Sequence, residues 1–463
     1  ERYIQYFLNM FFHGFNPHEI EPTLTYGAAY GFMKGGDSVE LFSPQASFYS
    51  PQLLDYNRKH GIKDPFFDRI GLDGDRYDLA IHPIDHCSIQ TVPKQWNTDR
   101  VIMKTSHHKR AFQNGLGKWM TKRLREYLDI DLSTAQFVHQ DIAHYASITS
   151  EYATIDLTSA SDTIGKRWLD ILPVDVRDFM NATRDYEGVL PNGDMHLLET
   201  AAGNGCGWTF PFETLLFWCI CASVYVVDFG YEPQVTALRN TIRVYGDDII
   251  VINDYAERVL EVLKAFGFIP NESKSFHSGH FRESCGGDFF NGTNMRPFYA
   301  SGIPKDLPSW YSFINGIYRT CYLNNGDAWR APFYRELWLR LIQSVPGRVL
   351  FGPPVLGDAV INCIDPESEF GEDTYSYTRR RRMIKGLVPC NTGEKVSVYS
   401  KARAYKLCHD RKLLAFCHES LRKTSGTTAA RLGLLGPEKA VCRTIVKDRN
   451  AVSYYVKNLD LYP

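Results

Sequence analysis

The chain has no surplus of charge. Its 463 residues carry 52 Lys and Arg against 53 Asp and Glu, a net charge of −1. No global basicity draws it to nucleic acid, so any polyanion site must be a local patch. Zinc-ligand spacing is missing too. The 11 cysteines include no C-x-x-C pair, Cys219 and Cys221 sit in an apolar helix-like run, and Cys408-His409 and Cys417-His418 match no ligand pattern. Free thiols in a reducing cytosol are expected. The longest apolar run, Thr214 to Val227, falls short of the roughly 20 residues a bilayer-spanning helix needs. There is no internal repeat. The first residue is Glu1 rather than Met, and the expectation is an incomplete or processed N-terminus.

Apolar and aromatic residues, by contrast, are plentiful. Hydrophobic residues make up 44% and aromatics 14%, enough for a large core and two or three lobes. One turn stands out: Tyr245-Gly246-Asp247-Asp248 lies between two β-branched runs, Asn240–Val244 and Ile249–Ile252. Strand, two-residue turn with a leading glycine, strand is a hairpin signature, and Gly246 supplies the positive φ of a type II′ turn. The flanking apolar runs bury the hairpin, so its carboxylates project from the tip. Like charges this close repel, and a divalent cation is the usual remedy.

Residues 26–36 are rich in glycine, but no strand precedes them and no helix opens after them. A structural loop is therefore expected rather than a phosphate cradle. From Lys94 to Arg125 nine basic residues face one acid, Asp99. Leu116, Trp119, Met120, Leu124 and Leu128 recur at helical spacing and leave Lys118, Lys122 and Arg125 on another face. Solvation and RNA contact both remain open for that face. Tyr152–Leu157 reads as a strand carrying Asp156 at its end. Arg167–Leu172, Val176–Met180 and Phe212–Val227 read as helices, the last apolar on nearly every side. A helix with Val259, Leu263 and Phe266 on one face stops at Gly267 and Pro270. The result is an α+β core, helices packed on an antiparallel sheet. Beyond residue 300 a mainly helical pattern is expected, with helices at Trp310–Tyr322, Ala328–Ser344 and Lys401–Arg422. An acidic stretch (Glu367 to Asp373) precedes the basic run Arg379–Arg382 with Lys385, which is expected to be a solvated loop.

Phosphoryl transfer by two metal ions needs carboxylates brought together from separate segments. Asp156 ends a strand, and Asp247 and Asp248 end a hairpin. If those strands are neighbours, the three carboxylates converge at one sheet edge. Oxygen ligands of this kind favour Mg²⁺ or Mn²⁺ over zinc.

The order of motifs adds to this. Ala153-Thr154-Ile155-Asp156 runs into Ser159-Ala160-Ser161-Asp162. Gly203-Asn204-Gly205 precedes Thr209-Phe210 and Phe217-Trp218. Tyr245–Asp248, Asn271-Glu272-Ser273-Lys274 and Phe281-Arg282-Glu283-Ser284-Cys285-Gly286 follow. Val92-Pro93-Lys94 with Asp99-Arg100, and Gln113 with Gly115-Leu116-Gly117, extend the series upstream. Over about residues 90–300 the chain resembles the replicase β subunit, the RNA-directed RNA polymerase of levivirus-like single-stranded RNA bacteriophages.

That resemblance implies a right-hand polymerase: fingers over 1–150, an antiparallel palm over 151–300, and a mainly helical thumb and C-terminal region over 301–463. It implies more chain ahead of the fingers motif. It makes Asp156 and Asp247 the bridging ligands of two Mg²⁺ (or Mn²⁺) ions, with Asp248 a further ligand. Asp162, assisted by Asn204, would recognise the ribose 2′-OH; a helix N-terminal charge is the structural alternative for Asp162. Lys94, Arg100 and Lys104 would grip the incoming triphosphate. Lys274 falls where a general acid serves the leaving pyrophosphate, although a salt-bridged surface lysine fits equally. Phe281–Gly286 would support the growing strand, with Cys285 assigned to packing. Thr105-Ser106-His107-His108 departs from the family's Glu-Pro, and Cys206-Gly207-Trp208 lengthens the link after Gly205. Implied partners are template and product RNA, ribonucleoside triphosphates and the host elongation factors Tu and Ts. The implied setting is the bacterial cytoplasm, with primer-independent initiation. Two other readings stand beside this one. A reverse transcriptase shares the paired aspartates but excludes the 2′-OH with a bulky aromatic, where this chain has Asp162. In an RNA-binding or assembly protein the acidic turn would be structural.

Overall fold

Ile4, Phe7, Leu8 and Phe11 recur three and four residues apart, and the opening segment winds into α1 (Arg2–Phe11), which buries all four. The computed structural model describes residues 1–23, 29–30, 47–64, 81–95, 98–300, 302–323, 328–329, 331–346, 349, 351–352, 358, 360–363, 377–378, 383–389 and 440–446. The chain divides into two units, Glu1–Arg296 and Pro297–Pro463.

In the first unit a short parallel pair, β1 (Ser47–Tyr49) and β2 (Ile81–Pro83), flanks α2 (Pro51–Lys59). A long antiparallel hairpin follows, β3 (His86–Gln95) and β4 (Thr98–Lys104). Ser106 caps the next helix, α3 (His107–Leu128), its hydroxyl accepting the Lys109 N–H. Leu116, Met120, Leu124 and Leu128 are buried, while Lys118, Lys122 and Arg125 are exposed, as the periodicity predicts. After α4 (Ala135–Thr149), β5 (Tyr152–Ile155) and α5 (Val174–Thr183), two strands extend the hairpin sheet. These are β6 (Glu187–Val189), parallel to β3, and β7 (Met195–Leu197), giving the order β4-β3-β6-β7.

Helix α6 (Thr209–Phe229) forms the centre of this unit. It is longer than its apolar run, because Thr209-Phe210-Pro211 supply the first turn, where proline's missing N–H has no intrahelical partner to lose. At 21 residues it is long and apolar enough to cross a membrane by length and composition, yet 89% of its most apolar window is buried inside the protein. Phe217, Trp218, Ile220 and Tyr225 pack into one core with Phe7 and Phe11 of α1 and Leu116 and Met120 of α3. The Phe7 and Trp218 rings meet edge to face, 5.5 Å apart.

The second sheet has the order β5-β9-β8, with β8 (Arg243–Tyr245) and β9 (Asp248–Ile252) both antiparallel to their neighbours. The strand expected from Asn240 starts only at Arg243, because Thr241 and Ile242 close the helical turn before it through bonds to the Leu238 carbonyl. The segment after Asp156 leaves the sheet, and residues 166–169 form a single 3₁₀ turn in place of the longer helix expected there. Helix α7 (Ala256–Ala265) buries Val259 and Leu263. A three-stranded antiparallel sheet, β10 (Phe281–Ser284), β11 (Gly287–Phe290) and β12 (Thr293–Asn294), completes the unit.

In the second unit, α8 (Leu307–Cys321) opens on a reciprocal Asp306/Ser309 capping box, and α9 (Pro332–Gln343) follows. Tyr311, Ile314, Trp338 and Phe351 share its core. Strands join the helices here: residues 383–389 pair with 440–446, a long-range contact that local periodicity cannot reveal. The helix expected at 401–422, the acidic stretch, the Arg379–Arg382 run and most of the glycine-rich patch at 26–36 lie outside the described residues.

Candidate active site

The β8–β9 turn is fixed from outside as well as by its own sequence. Tyr245 pairs with Asp248, leaving Gly246-Asp247 as the two-residue loop, and Gly246 takes φ +64. A side chain at Gly246 would meet the Phe210 ring of α6, which lies 2.3 Å from the position of a Cβ. The Gly246 N–H donates to Thr214 Oγ1 at 2.9 Å. At the far end of β9 the Ile252 N–H donates to Tyr225 Oη at 2.8 Å. Helix α6 therefore clamps the hairpin at both ends. Because β5 and β9 are adjacent and Ile155 pairs with Ile249, Asp156 and Asp248 leave the same sheet edge, with Asp247 at the turn.

The electrostatics follow from that convergence. Burial raises the Asp156 carboxyl; Lys274 lowers it, Asp247 raises it and Asn271 lowers it. Asn271 Nδ2 donates to Asp156 Oδ2 at 2.9 Å, and Lys274 Nζ stands 3.9 Å from the same oxygen. Asp248 is pushed up to about 7, first by burial and then by Asp247, while the thiol and backbone N–H of Cys285 favour its charged form. Asp156 and Asp248, each raised in part by the charge of Asp247, form with it a donor set suited to a hard divalent cation. Among the described residues no three His, Cys, Asp or Glu side chains are already gathered as a metal cluster. The charge of Asp247 acts on both Asp156 and Asp248, and Asp248 is also held toward Cys285.

Of the other residues expected from sequence, Asp162 and Asn204 pair and Arg100 and Lys94 act on Asp162, while Lys104 is placed only as a residue of β4. Asn204 Nδ2 donates to Asp162 Oδ1 at 3.3 Å, and Ser161 Oγ donates to Asn204 Oδ1 at 3.1 Å. Burial raises the Asp162 carboxyl, and Arg100 and then Lys94 pull it down, so both cations lie within electrostatic reach. Arg100 and Lys104 share one face of β4, four residues apart. That strand is tied to the Asn204 loop: the Met103 N–H donates to the Asn204 carbonyl at 2.9 Å. Gly203 and Gly205 permit this approach, since a Cβ on either would strike Met103. The segment Thr105-Ser106-His107-His108 forms the buried N-terminus of α3; His108 Nε2 contacts Asp64 Oδ2 at 2.8 Å and Lys109 Nζ pairs with Asp185 at 3.2 Å.

Three residues of the site were given no role from sequence. Asn271 belongs to a recognised motif but only the fold turns its amide onto Asp156. Cys285, assigned to packing, faces Asp248. Glu213 stands in the first turns of α6, one residue before its apolar run. Its carboxyl is pushed up to about 8 by burial, then by Asp247 and Asp162.

Comparison with known proteins finds relatives of this chain. A family model described as RNA replicase, beta-chain, matches residues 75–437. The RNA-directed RNA polymerase beta chain of Enterobacteria phage fr is 38% identical over 265 residues, covering 57% of this chain and 46% of the relative. That of Escherichia phage MS2 is 34% identical, covering 58% and 47%. The chain thus spans about half the length of the relatives it matches. Among solved structures, the RNA-dependent RNA polymerase of a human picorbirnavirus aligns with a TM-score of 0.37 at 12% identity, over 55% of each chain.

Proposed function

The chain belongs to the RNA replicase beta-chain family, and on that premise we propose that it acts as an RNA-directed RNA polymerase copying a phage RNA genome from ribonucleoside triphosphates. The observation that supports this reading is the convergence of Asp156, Asp247 and Asp248 at one edge of the adjacent strands β5 and β9, with Lys274 beside Asp156 and Asp162 paired with Asn204. Residues 1–150 act as fingers, 151–300 as palm and 301–463 as thumb and C-terminal region of a right-hand enzyme.

Each residue then has a task. Two Mg²⁺ or Mn²⁺ ions held by Asp156 and Asp247, with Asp248 as a further ligand, would activate the attacking 3′-hydroxyl and neutralise the leaving pyrophosphate. Lys94, Arg100 and Lys104 hold the triphosphate by charge-assisted hydrogen bonds. Asp162, oriented by the Asn204 amide, accepts the ribose 2′-OH. Lys274, beside Asp156, gives a proton to pyrophosphate as it leaves. Asn271 fixes the Asp156 carboxylate while this happens. Synthesis starts without a primer, in the cytoplasm of the bacterial host, with elongation factors Tu and Ts as partners.

The test is RNA-templated incorporation of labelled ribonucleotides with Mg²⁺ or Mn²⁺, with and without Tu and Ts, for the chain and for Asp247→Asn. Deoxynucleotides run in parallel. Incorporation lost with Asp247→Asn supports the reading; preference for deoxynucleotides replaces it with a reverse transcriptase. Folded protein that binds RNA yet incorporates nothing under any condition favours a binding protein.

A further inference from the structure

Glu213 is an odd residue for its place. It sits in a helix buried on nearly every side, is itself only 6% exposed, and among the described residues no donor is bonded to its carboxyl. An acid in such a setting costs stability unless something outside the fold repays it. Its position on the helix says where that something lies. Thr209, four residues earlier, donates its hydroxyl to the Gly203 carbonyl at 3.2 Å, and so faces the loop that carries Asn204. Phe210, three residues earlier, lies against Gly246 and meets the Tyr245 ring edge to face, 4.8 Å away. Residues three and four apart share a helix face. Glu213 therefore projects between the Asn204 loop and the aspartate hairpin, and Asp162 and Asp247 are the two charges its carboxyl senses.

We propose that Glu213 is a specificity-determining residue that completes, with Asp162 and Asn204, the pocket for the ribose of the incoming nucleotide and hydrogen-bonds one of its hydroxyls. This rests on the polymerase reading above and adds a residue to it. A carboxyl between loop and hairpin meets sugar rather than base, because on the polymerase reading its neighbour Asp162 takes the ribose and its neighbour Asp247 the metal at the phosphates. The residue cannot be explained as packing: leucine fills the same volume without an acid to desolvate.

The experiment is equilibrium binding of GTP, 2′-deoxyGTP and 3′-deoxyGTP, followed by incorporation kinetics, for the chain and for Glu213→Leu and Glu213→Gln. The unsubstituted chain should bind GTP about tenfold more tightly than one of the deoxy analogues, as one lost hydrogen bond in a closed site predicts. Glu213→Leu should erase that preference and raise KM for ribonucleotides more than it lowers kcat, while unfolding at a higher temperature. Glu213→Gln, which still donates and accepts in the same volume, should keep most of the preference. Retention of the full preference by Glu213→Leu, equal weakening toward all three nucleotides, or no preference in the unsubstituted chain would each overturn the inference. Ribose-selective binding without templated incorporation would instead sink the polymerase reading and leave the pocket standing.

Discussion

Thr214 Oγ1 accepts the backbone N–H of Gly246 at 2.9 Å, joining the buried helix α6 to the turn that carries Asp247. Both groups are buried, so nothing else replaces the bond. Thr214→Val keeps the shape and removes the acceptor. It should lower stability by about 1–3 kcal/mol, the cost of an unpaired buried N–H. Chemical denaturation measures it, and an unchanged midpoint would mean the helix does not fix the turn.

Gly246 is required twice, by its φ of +64 and by the Phe210 ring where a Cβ would go. Gly246→Ala should cost about 1–3 kcal/mol from backbone conformation alone. Incorporation should fall further than stability, since the turn displaces Asp247. Adding Phe210→Leu should relieve the clash but leave the backbone term, so rescue is partial. Complete rescue would show that φ is unimportant there.

Lys274 stands 3.9 Å from Asp156 but is 57% exposed, so its ion pair contributes little to stability. If it delivers a proton to pyrophosphate, Lys274→Met should lower kcat by about 10²–10⁴ with little change in nucleotide KM or melting temperature. A kcat within a factor of a few of the parent would make it an ordinary surface lysine.

Cys285 adopts φ +50 and Gly286 φ +76, a two-residue turn whose first position costs an L-residue about 1–2 kcal/mol. Glycine there should relieve the strain, so Cys285→Gly should raise the denaturation midpoint. Incorporation should nonetheless fall, because the thiol that faces Asp248 is gone. A variant that gains stability and keeps full activity returns Cys285 to packing.

The pH dependence of stability has two limbs. Glu213 and Asp248, at about 8 and about 7, hold protons in the folded chain that the unfolded chain releases. Their contribution is complete below the ordinary carboxylate range and is lost as pH rises through those values. His107 and His139, lowered chiefly by burial to about 4 and about 3, refuse protons that the unfolded chain takes up below 6.5. Their contribution is lost as pH falls below that point. Without divalent cations the melting temperature should therefore peak at mildly acidic pH, below 6.5, and Glu213→Leu should flatten the alkaline limb. Added Mg²⁺ should recover more stability at alkaline than at acid pH. An alkaline limb unchanged by Glu213→Leu would remove Glu213 from this account.

Local chemistry alone determined a good deal of this protein. The Gly246-Asp247 turn, the buried helix of α6, the polar face of α3 and the boundary at Gly267 follow from periodicity and from glycine's access to positive φ, which neighbouring residues impose within a few positions. The spacing of Ile4, Phe7, Leu8 and Phe11 in the helix over Arg2–Phe11 is a local signal of the same kind. Tertiary structure decided what lies beside what. That β5 pairs with β9, that Asn204 reaches Asp162, that Asn271 and Lys274 turn onto Asp156 and that Cys285 meets Asp248 are contacts across tens of residues, where no local pattern carries a signal. Glu213 shows the difference best. In the sequence it is one acid at the edge of an apolar run; only when α6 lies between the Asn204 loop and the aspartate hairpin does burial of its carboxyl acquire a direction, and with it a use.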